Sequence, residues 1–183
     1  MSIAFGLFIA IFAFLIFTFY ESSDALAIQS AVSKAIEGGR DELAASDVFS
    51  PENGFSANGY DTLCFLRGAS VPADYSVYVE KLLSSDQING TQFRNLPDMF
   101  EHFNHAALFI LFKGDAPTVI HLRKIGFIAK GKNRKSDFFS FRFDKMSRTD
   151  TSDYYGCHPF SDAVFKFYFD SKRPYTVFLS KQH

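Results

Sequence analysis

The segment Asp137–Asp144 (DFFSFRFD) carries the clearest structural signal in this sequence. Large apolar rings alternate in it with other side chains, and the segment Ala163–Asp170 (AVFKFYFD) repeats the pattern. Alternation with a period of two directs one set of side chains into a core and the other toward water. We therefore predict two β-strands whose buried positions are Phe139, Phe141, Phe143, Phe165, Phe167 and Phe169.

Further strands extend this pattern in both directions along the chain. The segment Ala106–Lys124 (AALFILFKGDAPTVIHLRK) holds two apolar runs on either side of a Lys-Gly-Asp turn, which is typical of a hairpin. Tyr175–Lys181 (YTVFLSK) completes a second hairpin across Ser171–Pro174, and Tyr60–Leu66 (YDTLCFL) reads as a buried strand. We expect these segments to form an antiparallel sheet of about five or six strands.

Helical periodicity appears mainly in the first third of the chain. Apolar residues recur at helical spacing from Ala25 to Ile36, Ser23 or Asp24 can cap the helix, and Gly38-Gly39 ends it. Shorter helical pieces are predicted at 40–46, 73–83 and 97–104. The predicted fold class is α+β, with an amphipathic helix and smaller helices packed on the antiparallel sheet.

The first twenty residues read as a membrane anchor. From Ile3 to Tyr20 there are 18 residues without a charge, and at about 1.5 Å per residue they span about 27 Å, close to the thickness of a bilayer core. We predict a transmembrane helix that continues into the amphipathic helix. The predicted organisation is an anchor at 1–22, a helical stalk and loop at 23–58, and a Phe-rich sheet domain at 59–183.

The alternative to a membrane anchor at residues 1–22 is a cleaved signal peptide. Ala25-Leu26-Ala27 matches a signal-peptidase site, but the apolar run is longer than a signal's central region and no basic residue precedes it. We therefore favour an uncleaved anchor. Lys34 and Arg40 follow the segment, and a count of positive charges alone would place the domain in the cytoplasm. The cysteines lead us to expect a periplasmic or extracellular domain instead.

Cys64 and Cys157 are the only cysteines of the chain. An even number behind a membrane segment is compatible with one disulfide in an oxidising compartment. The alternative is a pair of free thiols, because Cys64 lies in an apolar strand where cysteine often serves as a small hydrophobe. We predict the disulfide.

Composition excludes some classes of function and leaves others open. The formal net charge is −1, which argues against a nucleic-acid partner. The 24 phenylalanines, in a chain without tryptophan, indicate a core of large flat rings. The sequence lacks a nucleophile elbow, a phosphate-binding loop and a dinucleotide fingerprint. We therefore expect no cofactor.

One segment offers a metal-site hypothesis. In PDMFEHFNHAALF, Asp98 and His102 are four residues apart, as are Glu101 and His105. On a helix these side chains would lie on neighbouring faces, where two imidazoles and a carboxylate could begin a zinc or iron site. The spacing matches no established hydrolase signature, and the competing interpretation is a polar helix edge before a buried strand.

Three functions follow from these features. The first is a non-enzymatic, membrane-anchored domain that binds or helps assemble a partner protein. The second is a filament subunit, and the third is a small metal-dependent enzyme that uses the region of His102 and His105. The basic segment 123–135 is most simply a solvated turn, with contact to anionic lipid as the sharper alternative.

The filament hypothesis rests on a resemblance of layout. An apolar helix that runs into an amphipathic one, followed by an antiparallel sheet with a C-terminal disulfide, is similar to type IV pilins and pseudopilins. This resemblance implies self-assembly through the apolar helix. The prepilin processing pattern is absent, because Gly6 is not preceded by a basic leader and Ile11 occupies the position where the family has glutamate.

Overall fold

The structure is a computed structural model that describes residues 21–55, 59–67, 80, 86, 88–95, 107–130, 137–143, 155–169 and 175–181. The helices are α1 (Ser23–Glu37), α2 (Ala45–Val48) and α3 (Gly90–Asn95), with short 3-10 turns at Pro51–Asn53 and Phe160–Asp162. The strands are β1 (Glu42–Ala44), β2 (Thr62–Arg67), β3 (Ala107–Lys113), β4 (Ala116–Leu122), β5 (Gly126–Ala129), β6 (Asp137–Phe143), β7 (Tyr155–Pro159), β8 (Ala163–Tyr168) and β9 (Tyr175–Lys181).

Five strands form a sheet in the order β1-β8-β9-β6-β5. The predicted C-terminal hairpin is present as the antiparallel pair β8–β9, in which Phe165 lies opposite Leu179. β6 pairs with β9 in parallel, with Phe141 opposite Val177. This pairing is possible because the chain leaves the sheet after β6 and returns to it only at β8.

The remaining four strands form a second sheet in the order β4-β3-β2-β7. β3 and β4 form the hairpin predicted from the sequence, and Gly114 in its turn adopts a φ of 55°, a conformation that suits glycine. The backbone N–H of Gly114 donates to the Asp61 carboxylate, 2.5 Å away, which fixes the turn against the start of β2. From Ala107 to Phe112 every side chain of β3 is buried, as expected of a central strand covered on both faces.

The two sheets meet across a core of phenylalanine rings. The ring of Phe109 in β3 lies 5.0 Å from that of Phe65 in the same sheet, measured between centroids. It also lies 5.6 Å from Phe141 and 5.8 Å from Phe165 in the opposite sheet, and 6.0 Å from Phe49, which follows α2. Edge-to-face contacts of this kind add to the free energy gained from burial.

Helix α1 closes the side of the molecule where β4 of one sheet and β5 of the other would end in open edges. Its apolar stripe is buried in the same core as the sheets and consists of Ala25, Ile28, Ala31, Val32, Ala35 and Ile36. Carboxylates near its two ends accept backbone N–H groups of the residues that follow these strands: Glu21 from Arg123 after β4 at 2.7 Å, and Glu37 from Lys130 after β5 at 3.4 Å. These bonds link the ends of the helix to the ends of β4 and β5.

The predicted fold class is wrong. The described structure is mostly β, with nine strands divided between two sheets, whereas we predicted helices packed on one antiparallel sheet of five or six strands. The short helix predicted at 40–46 is instead strand β1 followed by α2. Leu43 is buried beside Phe165 of β8 in this strand, so strand pairing overrides the helical propensity of the local sequence.

The transmembrane helix predicted at 3–20 lies outside the described residues, as do most of the helix predicted at 73–83 and that predicted at 97–104. Within the described part of the chain, no helix combines the length and the apolar character needed to cross a bilayer. The amphipathic helix is present at Ser23–Glu37, and the hydroxyl of Ser22, rather than Ser23 or Asp24, caps it by accepting the N–H of Ala25 at 3.2 Å.

The central position of Phe109 gives a stability prediction. Phe109→Ala removes a fully buried ring that touches both sheets, and we expect it to lower the free energy of unfolding by about 3–5 kcal/mol. Phe138→Ala, at a ring that is 54% exposed on the outside of the five-stranded sheet, is the matched control and should cost less than about 1 kcal/mol. Denaturant unfolding measures both, and equal losses would contradict the assignment of the core.

Candidate binding surface

The residues of the metal-site hypothesis, Asp98, Glu101, His102 and His105, lie outside the described residues. Two other histidines are described, and the fold keeps them apart. His121 lies in β4 and His158 in β7, which are the two edge strands of the four-stranded sheet. Their strand registers also place them on opposite faces, so they cannot share a ligand. Across the described ranges, no group of three or more His, Cys, Asp or Glu side chains is arranged to hold a metal ion.

The predicted disulfide between Cys64 and Cys157 is confirmed. The two residues lie directly opposite each other in the antiparallel pair β2–β7, with their Cα atoms 4.0 Å apart. The bond ties the edge strand β7 to the interior strand β2 and closes a loop of 93 residues. Neither cysteine is therefore present as a free thiol.

We expect the disulfide to account for a large part of the stability. Replacing both Cys64 and Cys157 with alanine should lower the free energy of unfolding by about 4–5 kcal/mol, because the unfolded chain regains the entropy of a 93-residue loop. Thiol titration of the denatured, unreduced wild-type protein should find no free thiol. Two free thiols there, or an unchanged unfolding midpoint in the variant, would contradict the bond.

Glu21 and Ser22, the first residues that the structure describes, lie beside the end of β4. The carboxylate of Glu21 is buried, and its Oε1 accepts the N–H of Arg123 at 2.7 Å. The hydroxyl of Ser22 lies 3.5 Å from the carbonyl oxygen of His121. Two consecutive residues before α1 therefore contact the end of β4 and the connection that follows it.

His121 at this junction gives a pH dependence. Burial lowers its pKa below the ordinary 6.5, since desolvation disfavours the charged imidazolium. The unfolded chain therefore binds the proton first as the pH falls below about 6.5, and folding stability decreases there. We expect His121→Gln to lose less stability than the wild type between about pH 7.5 and pH 5, measured by thermal unfolding at both values. Equal losses would contradict the assignment.

The outer surface of the five-stranded sheet carries exposed large side chains, most of them aromatic, and we call this surface the aromatic face. On this face Ile128 is 70% exposed, Phe138 is 54% exposed and Tyr168 is 52% exposed. Phe178 is half-buried beside Tyr168, and the two rings meet edge to face at 5.2 Å. Ser140, Val164 and Ser180 on the same side are buried, so only parts of the face are exposed.

Gly126 shapes one end of the aromatic face. The ring of Phe138 lies over it, and a Cβ at residue 126 would fall inside that ring. Phe138 pairs with Ile128 across β5 and β6, so the ring reaches diagonally to cover the neighbouring glycine. This contact holds a large apolar ring flat on the outside of the sheet, where a partner can meet it.

A charged row crosses the other half of the aromatic face. The strand registers place Arg142 opposite Phe178, Phe178 opposite Lys166, and Lys166 opposite Glu42. The neighbouring strands β6, β9, β8 and β1 therefore carry, in that order, a cation, a ring, a cation and a carboxylate. Arg142, Phe178 and Lys166 are half-buried, and Glu42 is exposed.

Sequence reasoning placed Phe138, Tyr168 and Phe178 in predicted strands but did not identify them as a surface, and it missed strand β5 with Ile128, because the basic segment 123–135 was interpreted as a solvated turn. The signal was nevertheless present. Strict alternation assigns Phe139 and Phe141 to the core, and the same rule places Phe138 on the wetted side, outside the core. Rings at outward positions of several strands predict a recognition surface once the strands are known to be neighbours.

The chain matches no family model, and comparisons with curated proteins and with solved structures find no match. The arrangement of its residues is therefore the basis for a functional proposal.

Proposed function

We propose that this chain is a membrane-attached, extracytoplasmic, non-enzymatic domain that binds or helps assemble a partner protein through its aromatic face. The observation that carries the proposal is the exposure of Ile128, Phe138 and Tyr168 on one side of a single sheet. Contiguous apolar groups on a protein surface mark interaction sites, and aromatic rings and arginine are the side chains most enriched at the centres of interfaces.

The disulfide supports the proposed compartment. Bonds such as that between Cys64 and Cys157 form and persist in oxidising compartments and are rare in the cytosol. This bond lies inside a sheet, with Cys64 fully buried, so it stabilises the fold rather than occupying a reactive position at the surface. A domain exported to the periplasm or to the cell exterior accounts for it.

The apolar segment 3–20 supports the proposed attachment. It is long enough to cross a bilayer core and carries no charge. The buried carboxylate of Glu21 bonds to the N–H of Arg123, so the segment joins the domain without an intervening linker. Such a junction would restrict how far the domain can turn relative to the membrane and would limit which faces a partner in that membrane can reach.

Site-specific photo-cross-linking tests the proposal. A photoreactive phenylalanine analogue at Tyr168 replaces one exposed ring with another and should form a covalent adduct with a protein in native membranes. The same analogue at Glu52, an exposed residue of the 3-10 turn after α2, is the control and should give at least about tenfold less adduct. Labelling at Phe138 repeats the test at a second ring on the face.

The proposal fails if neither Tyr168 nor Phe138 yields a protein adduct above the Glu52 control in protein that unfolds like the wild type. An adduct at either ring position supports it, whatever the mass of the captured protein.

A further inference from the structure

The charged row of the aromatic face has opposite charges at its two ends. Arg142 in β6 begins the row and Glu42 in β1 ends it, three strand spacings away. Since neighbouring strands lie about 4.8 Å apart, the two backbones are separated by about 14 Å. The side chains would have to cross both Phe178 and Lys166 to meet, so an ion pair between them within one chain is not expected.

The charges of this row are not used within the described part of the chain. The described ion pairs, Arg40–Asp47 and Lys181–Asp162, lie elsewhere, and no ion pair or side-chain hydrogen bond engages Glu42, Arg142 or Lys166. Glu42 is exposed, and Arg142 and Lys166 are half-buried on the outward side of the sheet. A carboxylate brought by another molecule would pair with the charge of Arg142.

We infer that the partner of the aromatic face is a second copy of this chain, packed face to face about a two-fold axis; this inference rests on the proposed function. The two-fold axis runs parallel to the strands, between the two packed sheets, and passes over the midpoint between β9 and β8. Rotation about it places the β6 end of the row in one copy over the β1 end of the row in the other. Glu42 of each copy then lies opposite Arg142 of the other. A two-fold interface uses the same patch twice, so a row with opposite charges at its ends is complementary to itself.

The same rotation matches the middle of the row. Lys166 of one copy comes to lie over the ring of Phe178 in the other, an arrangement that favours a cation–π contact. Two residues further along the same strands, Tyr168 comes to lie opposite Thr176, so a half-exposed ring is covered at the same time. Two sheets packed in this way would stand about 10 Å apart, the distance that side chains of this size fill.

The contact pairs β6, β9, β8 and β1, so Ile128 of β5 lies outside it, and a patch of four strands is small for a dimer that persists at high dilution. Attachment to a membrane would confine the copies to one surface and raise their effective concentration. The interface is therefore best tested on the full chain in membranes.

The test uses the photoreactive analogue at Tyr168 in full-length chain reconstituted in lipid vesicles, without other proteins. We expect an adduct of twice the 20.7 kDa chain mass. Glu42→Arg, at an exposed position of a three-residue edge strand, should reduce this adduct at least about tenfold, because it places two cations opposite each other. The double variant Glu42→Arg/Arg142→Glu reverses both charges and should restore the adduct to within about threefold of the wild type.

Charge-matched substitutions away from the face provide the controls. Glu52→Arg and Lys34→Glu make similar changes of charge at exposed positions of the 3-10 turn and of α1, and neither should alter the adduct by more than about twofold. If the double variant does not fold, a mixture of the Glu42→Arg chain with an Arg142→Glu chain tests the same pairing. Only the mixed dimer then places opposite charges at both ends of the row, so mixed adduct should exceed either self-adduct.

The outcomes separate the inference from the proposed function. A self-adduct that Glu42→Arg does not weaken, or that no charge reversal restores, overturns the arrangement described here. A native-membrane adduct of another mass, with no self-adduct in vesicles, overturns the second copy as the partner and leaves the proposed function standing. Failure to form any adduct at either ring position, in vesicles and in native membranes alike, overturns both.

Discussion

The contact of the Phe109 ring with both sheets is the constraint on which the arrangement of this domain depends. The ring belongs to the central strand of one sheet and packs against Phe141 and Phe165 of the other. Because β6 and β8 must direct these rings inward, the alternate residues of the same strands are directed outward. The outward positions of Phe138 and Tyr168 thus follow from the packing of the core.

Local sequence pattern identified most of the described strands but not their division into two sheets. Alternation shows which side of a strand is buried, and it is visible within a few residues. Pairing partners are distant in the chain: β7 joins β2 across the 93-residue loop, and β9 lies parallel to β6 instead of continuing an antiparallel series. No local signal carries that information, so a single sheet was predicted where the chain builds two.

Strand β1 shows the same limit at a smaller scale. Glu42, Leu43 and Ala44 favour a helix by intrinsic propensity, yet they form an edge strand beside β8. Burial of Leu43 against the core outweighs that preference, and the decisive contact lies more than a hundred residues away in sequence. The charged row of the aromatic face was hidden for the same reason, since Glu42, Lys166, Phe178 and Arg142 become neighbours only through strand pairing. The cysteine pair was predictable because a chain with two cysteines allows only one disulfide.

The bond between Cys64 and Cys157 has a topological consequence. The residues between them include β3, β4, β5 and β6, which are strands of both sheets, so the covalent loop passes through the whole core. A single peptide-bond cleavage inside that loop leaves both fragments joined, and each fragment contributes strands that the other needs. A domain that is cleaved once within this loop therefore remains one covalent molecule until the disulfide is reduced.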